Sequence, residues 1–304
     1  MVAVVIGEAL MDVIRDRDGG ETRHPGGSPA NVAYGLGRLG RHAVLITQLG
    51  RDADGAAILD HLTSAGVEVR TGGEPLTRTP TAIATLGAAS DATYTFDLDW
   101  NLRSAELPAA PLVVHTGSLA TTVGPGAGTV EELVRAAREV STISYDPNIR
   151  PAMIGPGRRD PRDHFERWVS VSDVVKASSE DVAYLVPGGD PLDLARRWID
   201  LGPAIVIVTL GSAGAVAVSR RGAVRVPAFA VDVADTVGAG DSFTAGLLDA
   251  LWHEDLLGGP ARPRLRTIDD ATLERVVRHA SGAAAITVSR AGANPPTREE
   301  MMFH

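Results

Sequence analysis

The chain is 304 residues long, with 29 Lys and Arg against 38 Asp and Glu for a formal net charge of −9, and it contains no cysteine. A chain of this length buries a sizeable core; the lack of cysteine excludes a disulfide framework or a thiolate metal site, and an acidic balance without a basic stripe argues against a nucleic-acid partner. Residues 1–6 form an apolar strand without the basic flank and long apolar run of a signal peptide, and no later segment reaches membrane-spanning length, so a cytoplasmic protein with no membrane partner is expected.

Residues 2–6 read as a buried strand, after which Gly7-Glu8-Ala9-Leu10-Met11-Asp12 leaves the sheet. Asp12, just past the strand's C-terminal end, is either a solvated turn residue or a ligand group. His24-Pro25-Gly26-Gly27-Ser28-Pro29-Ala30-Asn31 then feeds a helix over 32–39. Ser28 reads as its N-cap, with Pro29 at the first helical position. Gly26 and Gly27 permit a hinge and close approach of a ligand, and Asn31 in the first turn offers both donors and an acceptor. Inside the helix, Gly35-Leu36-Gly37-Arg38-Leu39-Gly40 spells a dinucleotide fingerprint, with Asp54 downstream. That fingerprint needs a strand directly before it, and a capped helical segment stands there instead, so the glycines read as helix packing and Gly40 as a C-cap.

A strand at 43–48 and a helix at 56–65 closed by Gly66 continue an alternation that implies a parallel sheet. The pattern changes at 79–98, where strands at 81–85 and 93–98 follow one another through residues 87–92 as a hairpin-like insertion. A strand at 112–116, a helix at 130–140 and a strand at 142–145 come next, ending in Asp146-Pro147-Asn148-Ile149-Arg150-Pro151. Two prolines stiffen this loop where a parallel strand delivers ligand groups. Arg150 is a fork donor for phosphate or sugar oxygens, or else one half of a surface ion pair. A strand at 174–177 carries Lys176, the only lysine, and Ser178 with Asp181 forms a capping-box variant for the helix that follows. A strand at 204–209 runs into Leu210-Gly211-Ser212-Ala213-Gly214, and strands at 215–219 and 223–226 follow. Residues 258–266, rich in Pro, Gly and Arg, read as a surface loop, and the last long helix covers 271–286.

Asp235-Thr236-Val237-Gly238-Ala239-Gly240-Asp241-Ser242 joins a glycine-rich turn to an apolar helix. Gly238 and Gly240 remove the side chains that would keep a phosphate off the main chain, so N–H groups converge at the positive end of the helix. Asp241 at the mouth of that cradle would repel a phosphate unless it serves some other purpose. Taking a proton is such a purpose. A hydroxyl deprotonated at Asp241 attacks the phosphate held by the N–H groups, and these are the two halves of phosphoryl transfer. The structural alternative is an N-cap carboxylate stabilising the helix by about 1 kcal/mol.

The run 235–248 resembles the C-terminal signature of the ribokinase-like sugar kinases, the PfkB carbohydrate kinase family, and Gly26, Gly27, Asn31, Ala33, Gly40 and Gly50 fall at the intervals of its N-terminal signature. The resemblance spans the chain and implies one α/β domain, residues 1–304: a three-layer α/β/α sandwich around a mainly parallel sheet, with a small β-sheet lid from segments near 8–24 and 79–103. It implies Asp241 as catalytic base, the N–H groups of Gly238, Ala239 and Gly240 as anion hole, and Asp12, Gly26, Gly27 and Asn31 as the sugar site. The lid residues Phe96, Asn101 and Arg103, with Tyr94 and Trp100, then face substrate; packing under the lid or a subunit contact is the other reading of Tyr94 and Phe96. The loop at 146–150 is similar to that of fructokinases and ketodeoxygluconate kinases and adds Arg150 to the substrate side. On the nucleotide side the resemblance points to Thr209, Gly211 and Gly214, with Lys176, Ser178 and, in the loop that shelters adenine, Asn294. Where the family places Asn-x-x-Glu to organise magnesium waters, this chain has Ser178 and Asp181, so Asp181 would reach magnesium through water. Many members hold a potassium ion; Asp235 is the candidate here, and Pro296 replaces a serine ligand of some relatives.

No Gly-x-x-x-x-Gly-Lys-Ser/Thr and no His-Arg-Asp catalytic loop occurs, which excludes P-loop and protein-kinase mechanisms. The expectation is an ATP- and magnesium-dependent sugar kinase acting on a primary hydroxyl. Residues 7–12 and 146–150 resemble fructokinases most, so fructose ranks first, with 2-keto-3-deoxygluconate, ribose or a nucleoside as alternatives. Analogy with the family adds a homodimer through the lid. A non-catalytic sugar and nucleotide sensor is the reading from another class, and the intact Asp241 with its glycine turn argues against it.

Overall fold

The computed structural model describes residues 1–16, 20–86, 92–154 and 161–302. Its strands are β1 (Ala3–Ile6), β2 (Leu10–Arg15), β3 (Glu21–Gly26), β4 (Ala43–Thr47), β5 (Glu68–Thr71), β6 (Thr81–Leu86), β7 (Ala92–Asp97), β8 (Val113–Gly117), β9 (Thr142–Asp146), β10 (Val174–Ser178), β11 (Ile205–Thr209), β12 (Ala215–Ser219) and β13 (Ala223–Val226). Its helices are α1 (Ser28–Arg38), α2 (Ala53–Ser64), α3 (Gly126–Ala137), α4 (Pro161–Val171), α5 (Ser179–Leu185), α6 (Pro191–Leu201), α7 (Ala239–His253), α8 (Arg262–Arg266), α9 (Asp270–Val288) and α10 (Arg298–Met301).

Nine strands form one sheet in the order β13-β12-β11-β10-β9-β8-β1-β4-β5, parallel from β11 to β5 and antiparallel at β11-β12-β13. Strand side chains alternate between faces, and here both faces are covered. Ala3 and Val5 of β1 join the core formed with α1, α2, α7 and α9, while Val4 and Ile6 join the one formed with α3, α4, α5 and α6. That is why these strands are apolar throughout instead of alternating with polar residues. Each large side chain buried between the layers, such as Phe165 or Trp198, stabilises the fold by about 1.5–3 kcal/mol. The parallel sheet expected from the alternation and the three-layer sandwich implied by the resemblance are both present. Among the described residues no helix is long and apolar enough to cross a membrane.

The small second sheet, in the order β3-β2-β6-β7, contains the hairpin expected at 81–98, whose linker at 87–92 lies mostly outside the described residues. The main chain enters it at Gly7–Ala9 and leaves it at Gly26–Gly27. These two crossings touch: a Cβ on Gly27 would lie 2.7 Å from the Glu8 carbonyl oxygen and 3.0 Å from the Ala9 Cα, at φ +99°. Only glycine fits there.

One local expectation changes. Residues 258–266 are not a surface loop, because Ala261 and Leu265 are buried and Arg262 donates to Asp173 Oδ1 at 2.7 Å and to the Ser141 carbonyl at 2.8 Å. Proline sits in the first turn of α8 instead of breaking a helix. The apparent dinucleotide fingerprint is helix packing, as expected: Gly35 and Gly37 lie within α1, where Gly35 lets α7 approach so closely that a Cβ would be 2.8 Å from that of Ala245, and Gly40 (φ +71°) follows the end of the helix.

Asp249 on α7 fastens the helical layer. It accepts from Arg41 Nε at 2.6 Å, Arg298 Nη2 at 2.7 Å and His279 Nε2 at 3.0 Å. Burial opposes its charge, but these three partners outweigh burial and hold the carboxyl down at about 2. Asp249→Asn is expected to lower unfolding stability by about 2 kcal/mol at pH 7, the scale of hydrogen bonds to a charged group. A depressed carboxyl stabilises above its unfolded value, so the difference from wild type should fade as pH falls from about 4 towards 2. Urea unfolding at pH 7 and pH 3 measures both.

Candidate active site

Two helix N-termini meet at Asp241. Gly238 caps α7 in the left-handed conformation at φ 74°, packed so that a Cβ would lie 2.6 Å from that of Ala293. Asp241 falls in the first turn of α7 and is 8% exposed. It is not the N-cap of that helix. Its carboxylate turns towards α1, where Ser28 Oγ donates to Oδ1 at 2.7 Å and Asn31 Nδ2 donates to Oδ2 at 2.8 Å.

The Ser28 assignment is corrected by the same contact. Gly27 is the cap residue of α1 and has no side-chain cap bond, whereas Ser28 is already helical and sends its hydroxyl to a residue 213 positions away. Gly27 can hold φ +99° where serine would be strained.

Of the three N–H groups that the resemblance names for an anion hole, one is engaged. The Ala239 N–H bonds the Thr236 carbonyl at 3.3 Å, so it is engaged within the turn. The N–H groups of Gly240 and Asp241, in the first turn, have no earlier helical carbonyl to reach and remain donors for an anion. Lys176 lies directly behind them: a Cβ on Gly240 would be 2.8 Å from its Nζ. This ammonium is buried and donates to Asp146 Oδ2 at 2.9 Å. Burial opposes its charge, but Asp146, Asp181 and Asp241 outweigh burial and raise its pKa. Burial likewise pushes the Asp146 carboxyl up to about 6, against the pull of Lys176.

Asp12 lies on β2, within the small sheet and not in a turn, with its carboxylate over Gly26. Burial and the charge of Asp241 push it up to about 6, with Arg150 opposing. Asp12, Arg150 and Asp241 thus lie within electrostatic reach of one another, and Asn31 bonds Asp241, although they come from the two ends and the middle of the chain. Arg150 is exposed, its Nη1 held by Asn148 Oδ1 at 2.6 Å. Phe96 packs in an apolar cluster with Leu10, Ala82 and Leu119, and Trp100 is buried, its indole N–H donating to the Ala120 carbonyl at 3.3 Å. The Tyr94 side chain lies outside the described part of the molecule. Asn101 donates its backbone N–H to Gln48 Oε1 at 2.8 Å, and its side chain accepts from Arg103 Nε at 3.0 Å, so these two lid residues are fastened to each other.

Of the residues expected on the nucleotide side, Ser178 and Thr209 are register partners at the C-terminal ends of β10 and β11. Gly211 (φ 57°) and Gly214 (φ 89°) shape the turn that follows. Ser178 and Asp181 form the expected capping box, and Asp181 also accepts the Ile149 N–H at 2.7 Å. Both Asp181 oxygens are therefore engaged and buried, and the carboxylate turned outward at this helix start is Glu180. Asp235 staples two loops by accepting the N–H groups of Val237 at 3.0 Å and Gly292 at 2.9 Å. Asn294 is exposed beside the second of them. Among the described residues no group of three or more His, Cys, Asp and Glu forms a ready metal cage.

Three residues escaped the sequence reading: Ser28 in this role, Asp146 as partner of Lys176, and Glu8. Glu8 is buried at the crossing into the small sheet, with Oε2 accepting the Ala120 N–H at 2.9 Å. Its one signal was an acidic residue inside the otherwise apolar run before Asp12.

Known proteins resemble this chain over most of its length. Residues 2–300 match the profile of the pfkB family carbohydrate kinases. A fructokinase of Klebsiella pneumoniae is 33% identical over 256 residues, covering 81% of this chain and 83% of its own. The crystal structure of a Xylella fastidiosa fructokinase with bound ATP aligns at TM-score 0.86 and 25% identity, over 99% of this chain and 97% of that one. A double mutant of the Vibrio cholerae O395 fructokinase, with fructose, ADP and potassium ion bound, aligns at TM-score 0.82 and 27% identity over 99% and 97%.

Proposed function

The chain belongs to the pfkB family of carbohydrate kinases, and from that premise we propose that it transfers the γ-phosphate of ATP to a primary hydroxyl of fructose. The observation that carries the reading is the Asp241 carboxylate, held by Ser28 and Asn31 beside the free N–H groups at the start of α7. Asp12 and Asn31 orient the sugar, with Arg150 at the rim. Asp241 takes the hydroxyl proton, and the N–H groups of Gly240 and Asp241, backed by the Lys176 ammonium, receive the developing phosphate charge. Positioning and electrostatics of this kind are what phosphoryl transfer requires.

Thr209, Gly211, Gly214 and Asn294 line the nucleotide's place in this reading. Magnesium, bound largely through phosphate oxygens and water, neutralises phosphate charge when present. The engaged oxygens of Asp181 fit a contact through water only, and the outward Glu180 is the better placed of the two carboxylates to meet that shell. A monovalent cation near Asp235, one domain over the whole chain and pairing of two copies through the lid rest on family resemblance. Coupled ADP release with ATP and magnesium, run over fructose, ribose, 2-keto-3-deoxygluconate and a nucleoside, tests the proposal. Fructose should give the highest kcat/KM; turnover of ribose without fructose overturns the sugar assignment, and binding without any ADP formed favours a sensor.

A further inference from the structure

The geometry points to Ser28 as a positioning residue for Asp241, an inference that rests on the kinase reading above. Its hydroxyl caps nothing in its own helix and lies 2.7 Å from Asp241 Oδ1. The other carboxylate oxygen is held by the Asn31 amide at 2.8 Å. These two donors differ chemically. An amide N–H can only donate, whereas a serine hydroxyl donates or accepts by rotating about its C–O bond.

That difference matters because the base changes state during turnover. The acceptor's hydroxyl proton passes to Asp241 and its oxygen bonds the γ-phosphorus. The bond from that phosphorus to the bridging oxygen breaks, and ADP leaves with the electron pair. Before the transfer Asp241 needs donors, which Ser28 and Asn31 supply; afterwards it carries a proton that needs an acceptor. Ser28 Oγ can turn and accept a hydrogen bond from the protonated carboxyl, which keeps its proton, so the carboxyl holds its orientation in both states. Ser28 also directly follows the Gly26–Gly27 crossing from the small sheet, so it ties the base to the point where that sheet joins the sandwich.

The test is a double-mutant cycle of Ser28→Ala and Asp241→Ala, with Ser28→Thr as the conservative rescue. Ser28→Ala should lower kcat about tenfold, the loss of one hydrogen bond to a charged group, with the KM for sugar and for ATP each changed by less than about twofold. Ser28→Thr should recover most of that loss, and adding Ser28→Ala to Asp241→Ala should leave residual turnover nearly unchanged. Urea unfolding of the same four cycle members reads the coupling without turnover: Ser28→Ala should lower the midpoint when Asp241 is present and barely move it with Asp241→Ala. An unchanged kcat, equal losses in both backgrounds, a rise in sugar KM with kcat intact, or no rescue by threonine would each overturn the assignment. Absence of turnover by the wild type with every acceptor would strike the kinase reading instead, with the unfolding cycle still deciding whether Ser28 and Asp241 are coupled.

Discussion

Asp241→Asn is expected to lower kcat by about 10² to 10⁴, with the KM for sugar and ATP and the unfolding midpoint close to wild type. The exchange is isosteric, and its surroundings accept it. Asn31 Nδ2 can still donate to the remaining carbonyl oxygen, and Ser28 can turn its hydroxyl to accept from the new amide. What disappears is the ability to take a proton. The donors that receive phosphate charge, the Gly240 and Asp241 N–H groups, belong to the main chain and survive the substitution. Steady-state kinetics with fructose and a urea titration check both halves. Turnover within a few-fold of wild type would remove Asp241 from the role of base, while a collapse in stability would show that the carboxylate is chiefly structural.

The legible parts of this molecule were those encoded by period and by turn chemistry. Apolar runs two layers deep marked β1, β4, β8 to β12, and glycine at 27, 66, 211, 214 and 238 marked turns that take up positive φ. The capping box at Ser178 and Asp181 was readable because both its partners lie within four residues. The unreadable parts depended on contacts distant in sequence. Ser28 and Gly27 are each acceptable as a helix cap, and what decides between them is a carboxylate on another helix. The burial of Asp146 and its pairing with Lys176 need the neighbouring strands β9 and β10 side by side before either residue looks unusual. Residues 258–266 carried loop-forming composition, yet a buried Leu265 and the Arg262–Asp173 pair override it. Propensity is a local quantity, and tertiary partners outweigh it wherever they are good enough.

The protein is expected to be more stable at pH 6 than at pH 8.5, against the usual behaviour of a carboxylate-rich surface, and Glu8 is the main reason. Burial pushes its carboxyl from 4.5 up to about 7, only partly offset by hydrogen bonds from Ser118 and from the main chain at Leu119 and Ala120. The folded protein therefore holds this proton more tightly than the unfolded chain. The resulting stabilisation is complete below about pH 4.5 and is lost as pH rises through about 7. Its size is about 3 kcal/mol. Asp12 and Asp146, each raised to about 6, act in the same direction at slightly lower pH. Asp249 opposes them only in strong acid. Glu8→Gln retains an acceptor for the Ala120 N–H and replaces the protonated oxygen by an amide, so it mimics the low-pH form at every pH. The variant should exceed wild type by about 2–3 kcal/mol at pH 8.5 and match it within about 1 kcal/mol at pH 5, read by urea unfolding at both values. A wild-type stability that is level from pH 6 to 8.5, or a Gln variant that declines in parallel with it, would show that Glu8 remains ionised in the fold.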